Sequence, residues 1–94
     1  MTVTIVRVTA DQGAIEVAAQ VNGLVEDGGQ CTAIASSGTA RRTTTSQAFA
    51  NTQSTDCSPM TVQRVPPGDW NVTVTYESSG HYGESTAMSV RVAS

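Results

Sequence analysis

Apolar and polar residues alternate strictly over residues 70–76. The apolar positions are Trp70, Val72, Val74 and Tyr76, and polar residues occupy the positions between them. A period of two is typical of a β-strand with one buried face and one solvated face. The Pro-Pro-Gly run at residues 66–68 predicts a turn before this strand. Residues 88–92 repeat the alternation after a stretch rich in Gly and Ser, so the last third of the chain is predicted to form a β-hairpin.

Five further segments carry a strand pattern. The strand at residues 2–9 changes its apolar parity between Ile5 and Val6, which predicts a β-bulge or a change of sheet. The other four segments are residues 14–21, 31–35, 41–49 and 60–62. Thr-rich residues 41–49 predict an edge strand followed by a loop up to residue 58. About seven short strands and no helix predict an all-β fold, a two-sheet immunoglobulin-like or fibronectin III-like sandwich.

The length of 94 residues is that of one domain spanning residues 1–94. Cys31 and Cys57 are the only cysteines, and an even number in a small chain predicts one disulfide, two buried thiols being the alternative. The bond is expected to join the central strand at 31–35 to the loop before residue 60. Closing a loop of about 25 residues contributes roughly 3 to 4 kcal/mol in the chain-entropy model. A disulfide indicates an extracellular or cell-surface protein.

The charge pattern limits the partners. The net charge is -3, and all five cations are arginine. We expect no nucleic-acid partner because phosphate binding needs a dense basic face. No apolar run approaches the ~20 residues of a membrane span. The chain begins directly in strand pattern without a signal peptide, so we expect a leader or a longer parent chain to be missing from this sequence.

Residues 65–74 (Val-Pro-Pro-Gly-Asp-Trp-Asn-Val-Thr-Val) resemble the start of strand F in fibronectin type III and related bacterial immunoglobulin-like domains. Those families carry a Pro-Gly turn, an aromatic residue and alternating Val, and Trp70 stands where their aromatic is usually Tyr. The resemblance implies an immunoglobulin-like module of a secreted or cell-surface bacterial protein. Cys57 departs from it, because the immunoglobulin disulfide joins strands B and F.

The residues with reactive side chains do not suggest an enzyme. His81 is the only imidazole, and no nucleophile, base and orienting group form a set, so we predict no catalysis, no cofactor and no metal centre. One alternative is a weak cation site built by loops at one end of the sandwich. Its candidate ligands are Asp11, Glu26, Asp27 and Asp69.

Two functional hypotheses follow. The first is a structural or spacer module that separates neighbouring domains of a longer chain. The second is a module that binds a protein or carbohydrate ligand through the loop from Ser78 to Glu84, where flanking glycines would project His81 and Tyr82 beyond the fold. The adjacent cations Arg41 and Arg42 are the next candidate contact.

Overall fold

The computed structural model describes residues 2–11 and 13–92. Within these residues the chain forms nine β-strands and no helix, and therefore no helix that could cross a membrane. The strands are β1 (Thr2–Asp11), β2 (Ala14–Asn22), β3 (Gln30–Ser37), β4 (Ala40–Ala50), β5 (Ser54–Cys57), β6 (Met60–Val62), β7 (Gly68–Glu77), β8 (Tyr82–Glu84) and β9 (Met88–Val92). The predicted all-β class is confirmed.

The strands pair in one continuous path. Their order is β1-β2-β5-β4-β3-β7-β8, with β6 also paired to β2 and β9 also paired to β7. Every pairing is antiparallel, and β1 contacts β9 at the far side of the path. The result is a nearly closed barrel, which leaves few strand edges open to solvent. The finer architecture, a two-sheet sandwich, stays a prediction.

Strand β4 carries the path from one half of the barrel to the other. Residues 40–47 pair with β3, and residues 48–50 pair with β5. Among the described strands β3 is the only partner of residues 40–47, so the edge prediction is confirmed for that part. The loop predicted after it is wrong, because residues 54–57 form β5. Thr55 is fully buried there and its hydroxyl donates to the Leu24 carbonyl at 2.7 Å, an interaction that a polarity pattern does not reveal.

The face of β7 that was predicted to be buried does lie in the core. Its four apolar side chains are all buried: Trp70 (2% exposed), Val72, Val74 and Tyr76 (0% each). The indole Nε1–H of Trp70 donates to the Pro66 carbonyl at 2.9 Å, so the ring is both packed and anchored to the turn before the strand. The predicted bulge in β1 is also present, as a register shift between Ile5 and Arg7 that leaves Val6 60% exposed.

The disulfide between Cys31 and Cys57 is confirmed, with the two Cα atoms 5.9 Å apart. Cys31 lies in β3 as predicted. Cys57 is the last residue of β5, and not part of a loop as predicted. Since β4 lies between β3 and β5 in the pairing order, the bond joins two strands that share no backbone hydrogen bonds.

Candidate functional site

The loop predicted from Ser78 to Glu84 is shorter than expected. Residues 82–84 form β8 and pair with residues 75–77 of β7. The turn is therefore limited to residues 78–81, and the Ser78 N–H closes it by donating to the His81 carbonyl at 2.9 Å. The Tyr-Gly-Glu sequence of β8 has no alternation of apolar and polar residues, so the pattern did not predict this strand. We call this β7–turn–β8 unit, residues 75–84, the tip hairpin.

The two residues predicted for binding behave differently at the tip hairpin. Tyr82 is 63% exposed and lies opposite Glu77 in the strand register. His81 lies next to Glu26, with its Nδ1 atom 3.6 Å from Glu26 Oε2, so a protonated imidazole forms an ion pair there. Tyr82 thus presents a ring to solvent, whereas His81 is oriented toward the barrel. His81 and Tyr82 do not project together from a mobile loop.

Beside His81, Glu26 accepts a hydrogen bond from one hydroxyl group and lies next to a second. The Tyr76 hydroxyl donates to Glu26 Oε1. The Ser78 hydroxyl is buried beside the same carboxylate, although its geometry falls short of a regular hydrogen bond. Ser78, then Tyr76 and the nearby His81 lower the pKa of Glu26, while burial and the bond to Glu26 raise the pKa of Tyr76. A Cβ at Gly29 would overlap the Tyr76 ring, so glycine is required for this arrangement.

The contact between Glu26 and Tyr76 predicts that the stability of the fold decreases at both acid and alkaline pH. The pKa of Glu26 lies below its ordinary value of 4.5, so the folded protein binds this proton more weakly than the unfolded chain does. Its contribution is present above pH 4.5 and is lost as the pH falls through the lowered pKa. The pKa of Tyr76 is raised above 10.0, so its contribution is complete below pH 10 and is lost as the pH rises through the raised pKa.

The loss of stability at acid pH is checked by urea unfolding of the wild type and of Glu26→Gln across the acid range. The variant lacks the titrating group, so its free energy of unfolding should decline less steeply below pH 4.5. Tyr76→Phe should flatten the alkaline side in the same way, because it removes the phenol. Parallel pH profiles for wild type and Glu26→Gln would show that Glu26 is not coupled to folding.

Arg41 and Arg42 lie near the opposite end of the barrel from the tip hairpin. On β3, Ser36 is opposite Arg41, whereas Gln30 is opposite Glu77 of the tip hairpin. Six residues of strand separate the two places, about 20 Å at the usual rise. Arg42 Nε donates to the Arg64 carbonyl at 3.4 Å, and Arg64 itself has a φ of 59°. The two predicted binding regions are therefore separate surfaces.

The four acidic residues considered for a cation site are also divided between the two ends. Asp27 is near the tip hairpin end, where it accepts the Ala50 N–H at 2.8 Å. Asp69 is at the other end, where its Oδ1 atom lies 4.0 Å from a guanidinium nitrogen of Arg91. The turn after Asp11 is at that end too, because the Val65 N–H donates to the Gly13 carbonyl there. The described residues contain no group of three His, Cys, Asp or Glu placed to hold a metal ion.

A row of exposed side chains that sequence reasoning missed crosses the outer face beside the tip hairpin. The strand register places Gln47, Gln30, Glu77 and Tyr82 side by side on β4, β3, β7 and β8. We call these four residues the cross-strand row. Gln47 and Gln30 are 17 positions apart in the chain, and Gln30 and Glu77 are 47 positions apart, so only the register reveals the row.

At its β4 end the cross-strand row borders a groove of about 560 Å³. The groove is lined by Gly28, Gly29, Gln30, Thr45, Ser46, Gln47 and Ala48. Amides, hydroxyls and exposed backbone dominate this lining, so the groove suits a ligand that makes many hydrogen bonds.

The tip hairpin and the cross-strand row bring titratable, amide and aromatic side chains together at one end of the barrel. Within the described residues the imidazole of His81 has one charged neighbour within 4.0 Å, Glu26, and that carboxylate already accepts the Tyr76 hydroxyl. The cross-strand row adds two amides, a carboxylate and an exposed ring at fixed spacing. No protein-family model, curated protein or solved structure matches the chain.

Proposed function

We propose that this protein is a non-catalytic spacer module of an extracellular or cell-surface bacterial protein, with an immunoglobulin-like or fibronectin III-like sandwich as its architecture. The observation that carries the proposal is that the first described strand, β1, begins at one end of the barrel and the last, β9, ends at the other. The chain enters the barrel at one end and leaves it at the other, so the module adds its full length to any chain that contains it.

The strand register supports this geometry. Thr2 is opposite Asn22, and Asn22 is opposite Ser54, which places the start of β1 at one end. Val92 is opposite Gly68 at the other end. Following the antiparallel pairs around the path gives β1 and β9 the same direction, and these two strands contact each other. The long axis of 39 Å exceeds the other extents of 21 and 17 Å.

The disulfide supports an oxidising location for such a module. It covalently joins β3 to β5 across a sequence separation of 26, so the segment between the two cysteines does not extend when the chain is under tension. Disulfides persist outside the cytosol, where a spacer between surface domains would work.

A protein of three tandem copies tests the proposal. Small-angle X-ray scattering should give a maximum dimension close to three times the 39 Å length of one copy, because each copy passes the chain from end to end. The single copy is the control for size and folding. A compact three-copy particle, with a maximum dimension below twice that length, would contradict a spacer role.

A second function, ligand binding through the tip hairpin, is favoured by one observation. Tyr82 exposes 63% of its surface on a short, well-paired hairpin, and such an aromatic offers contact area at low entropic cost. Once a ligand is identified, its affinity can be compared between the wild type and the double variant of His81→Ala and Tyr82→Ala. The double variant should keep its stability. It should lose at least tenfold in affinity, about 1.4 kcal/mol. Unchanged affinity would move the contact to Arg41 and Arg42.

A further inference from the structure

We propose that the cross-strand row is a binding site for an uncharged oligosaccharide. In this proposal the sugar chain lies across the strands, from the groove beside Gln47 to the ring of Tyr82. The inference rests on the second function above, binding at the tip hairpin, and names its ligand class.

The register gives the site its geometry. Paired residues of antiparallel strands present their side chains on the same face, so Gln47, Gln30, Glu77 and Tyr82 form one line. All four are exposed. Adjacent strands are about 4.8 Å apart, so the line is roughly 14 Å long and can accommodate about three sugar units. Because every member stands on a paired strand, the site is formed before a ligand arrives.

The functional groups of the row match those of a sugar. A glutamine amide donates two hydrogen bonds and accepts two, which suits neighbouring hydroxyls that both donate and accept. The Glu77 carboxylate accepts hydroxyl protons in stronger, charge-assisted bonds. The Tyr82 ring can pack against the C–H face of a sugar ring and still hydrogen-bond through its own hydroxyl. Gly28, with open space where a Cβ would stand, leaves room at the groove.

The charge distribution favours an uncharged ligand over an acidic one. Glu77 lies in the row, and Glu84 lies opposite Thr75 on the same hairpin. Arginines 41, 42, 64 and 91 lie toward the other end, as the pairing of Arg41 with Ser36 and of Arg91 with Asp69 shows. A uronate or a sulfated sugar would therefore meet the like charges of Glu77 and Glu84, with four of the five arginines too distant to offset them.

The surroundings of the row favour a sugar over a protein partner. Protein interfaces depend on clusters of large apolar anchors. In the row Tyr82 is the single large apolar side chain, and Thr32, Thr45 and Thr75 present hydroxyls in the next register line on the same face. On the other side of the row, Phe49 is a second exposed ring, two residues beyond Gln47 on the same face of β4. Many hydrogen-bonding groups around the Tyr82 ring are better suited to a hydroxylated ligand.

The test is an NMR titration of the ¹⁵N-labelled protein with uncharged tetrasaccharides of glucose, mannose, xylose and N-acetylglucosamine, each up to about 10 mM, a range suited to weak single-site binding. At least one should shift the backbone amides of the cross-strand row and of the groove. Gln47→Ala and Tyr82→Ala should each weaken that binding at least tenfold. Gln63→Ala is the matched control, because Gln63 is exposed outside the row and its loss should leave binding unchanged.

Three results would overturn the inference. The first is the absence of amide shifts with every uncharged tetrasaccharide, and the second is a shift pattern centred away from the row. The third is binding of a basic peptide or an acidic oligosaccharide at the tip hairpin, dependent on Tyr82, while the uncharged sugars do not bind. That last result would leave the second proposed function standing and reject only its ligand class.

Discussion

Replacing Trp70 by Ala is expected to destabilise the protein by about 3 to 5 kcal/mol, most of the stability of a domain of this size. The ring is 2% exposed and lies at the start of the strand that carries the core. Its removal leaves a cavity that small neighbours such as Ala33 and Ala35 do not fill. It also leaves the Pro66 carbonyl without its indole donor. Urea unfolding monitored by far-UV circular dichroism measures the loss.

Trp70→Phe is the matched control for this experiment. It keeps an aromatic ring in the core but loses the hydrogen bond to Pro66, so the expected loss is about 1 to 2 kcal/mol. In the wild type, Trp70 is the only tryptophan, and its fluorescence should have the blue-shifted emission of a buried indole. Emission typical of solvated indole in the native protein, or a loss below about 1 kcal/mol in Trp70→Ala, would contradict the burial.

Reducing the disulfide is expected to lower the midpoint of thermal unfolding by roughly 12 to 24 °C, the equivalent of about 3 kcal/mol in a domain this small. The bond spans a sequence separation of 26 and encloses all of β4, whose first eight residues pair with β3 alone among the described strands. Without the bond, the unfolded chain regains the entropy of an open loop. Differential scanning calorimetry with and without reductant measures the change.

The double variant Cys31→Ala and Cys57→Ala separates the bond from the reductant. It should melt near the reduced wild type, and reductant should not change its midpoint. Because both cysteines are bonded, the folded wild type should show no reactive thiol. Two thiols titrating in the untreated folded protein would refute the bond.

The sequence predicted seven of the nine strands in the described residues, namely β1, β2, β3, β4, β6, β7 and β9. Strands β2, β7 and β9 were predicted with bounds within two residues of those observed, since one face of each contributes to a core of fully buried Val, Ile and Trp side chains. Strands β5 and β8 were missed. They are four and three residues long, and Thr55 is buried through hydrogen bonds rather than through apolar character.

The candidate site was predictable only in part, for a related reason. Tyr82 could be chosen from the sequence because it is a large residue between glycines. Its partners in the cross-strand row could not be, because Gln30 and Gln47 have no apolar or charged signal of their own. The contact of His81 with Glu26 likewise joins residues 55 positions apart.

The sequence by itself determined the all-β class, the core parity of β7 and the pairing of its only two cysteines, because each depends on local alternation or on simple counting. Tertiary structure alone decided that the strands follow one nearly closed path, that β1 begins and β9 ends at opposite ends of the barrel, and that two glutamines, a glutamate and a tyrosine form one row. These features depend on register between distant strands. Register is set by the sum of many weak cross-strand contacts, and no single segment of the chain encodes that sum.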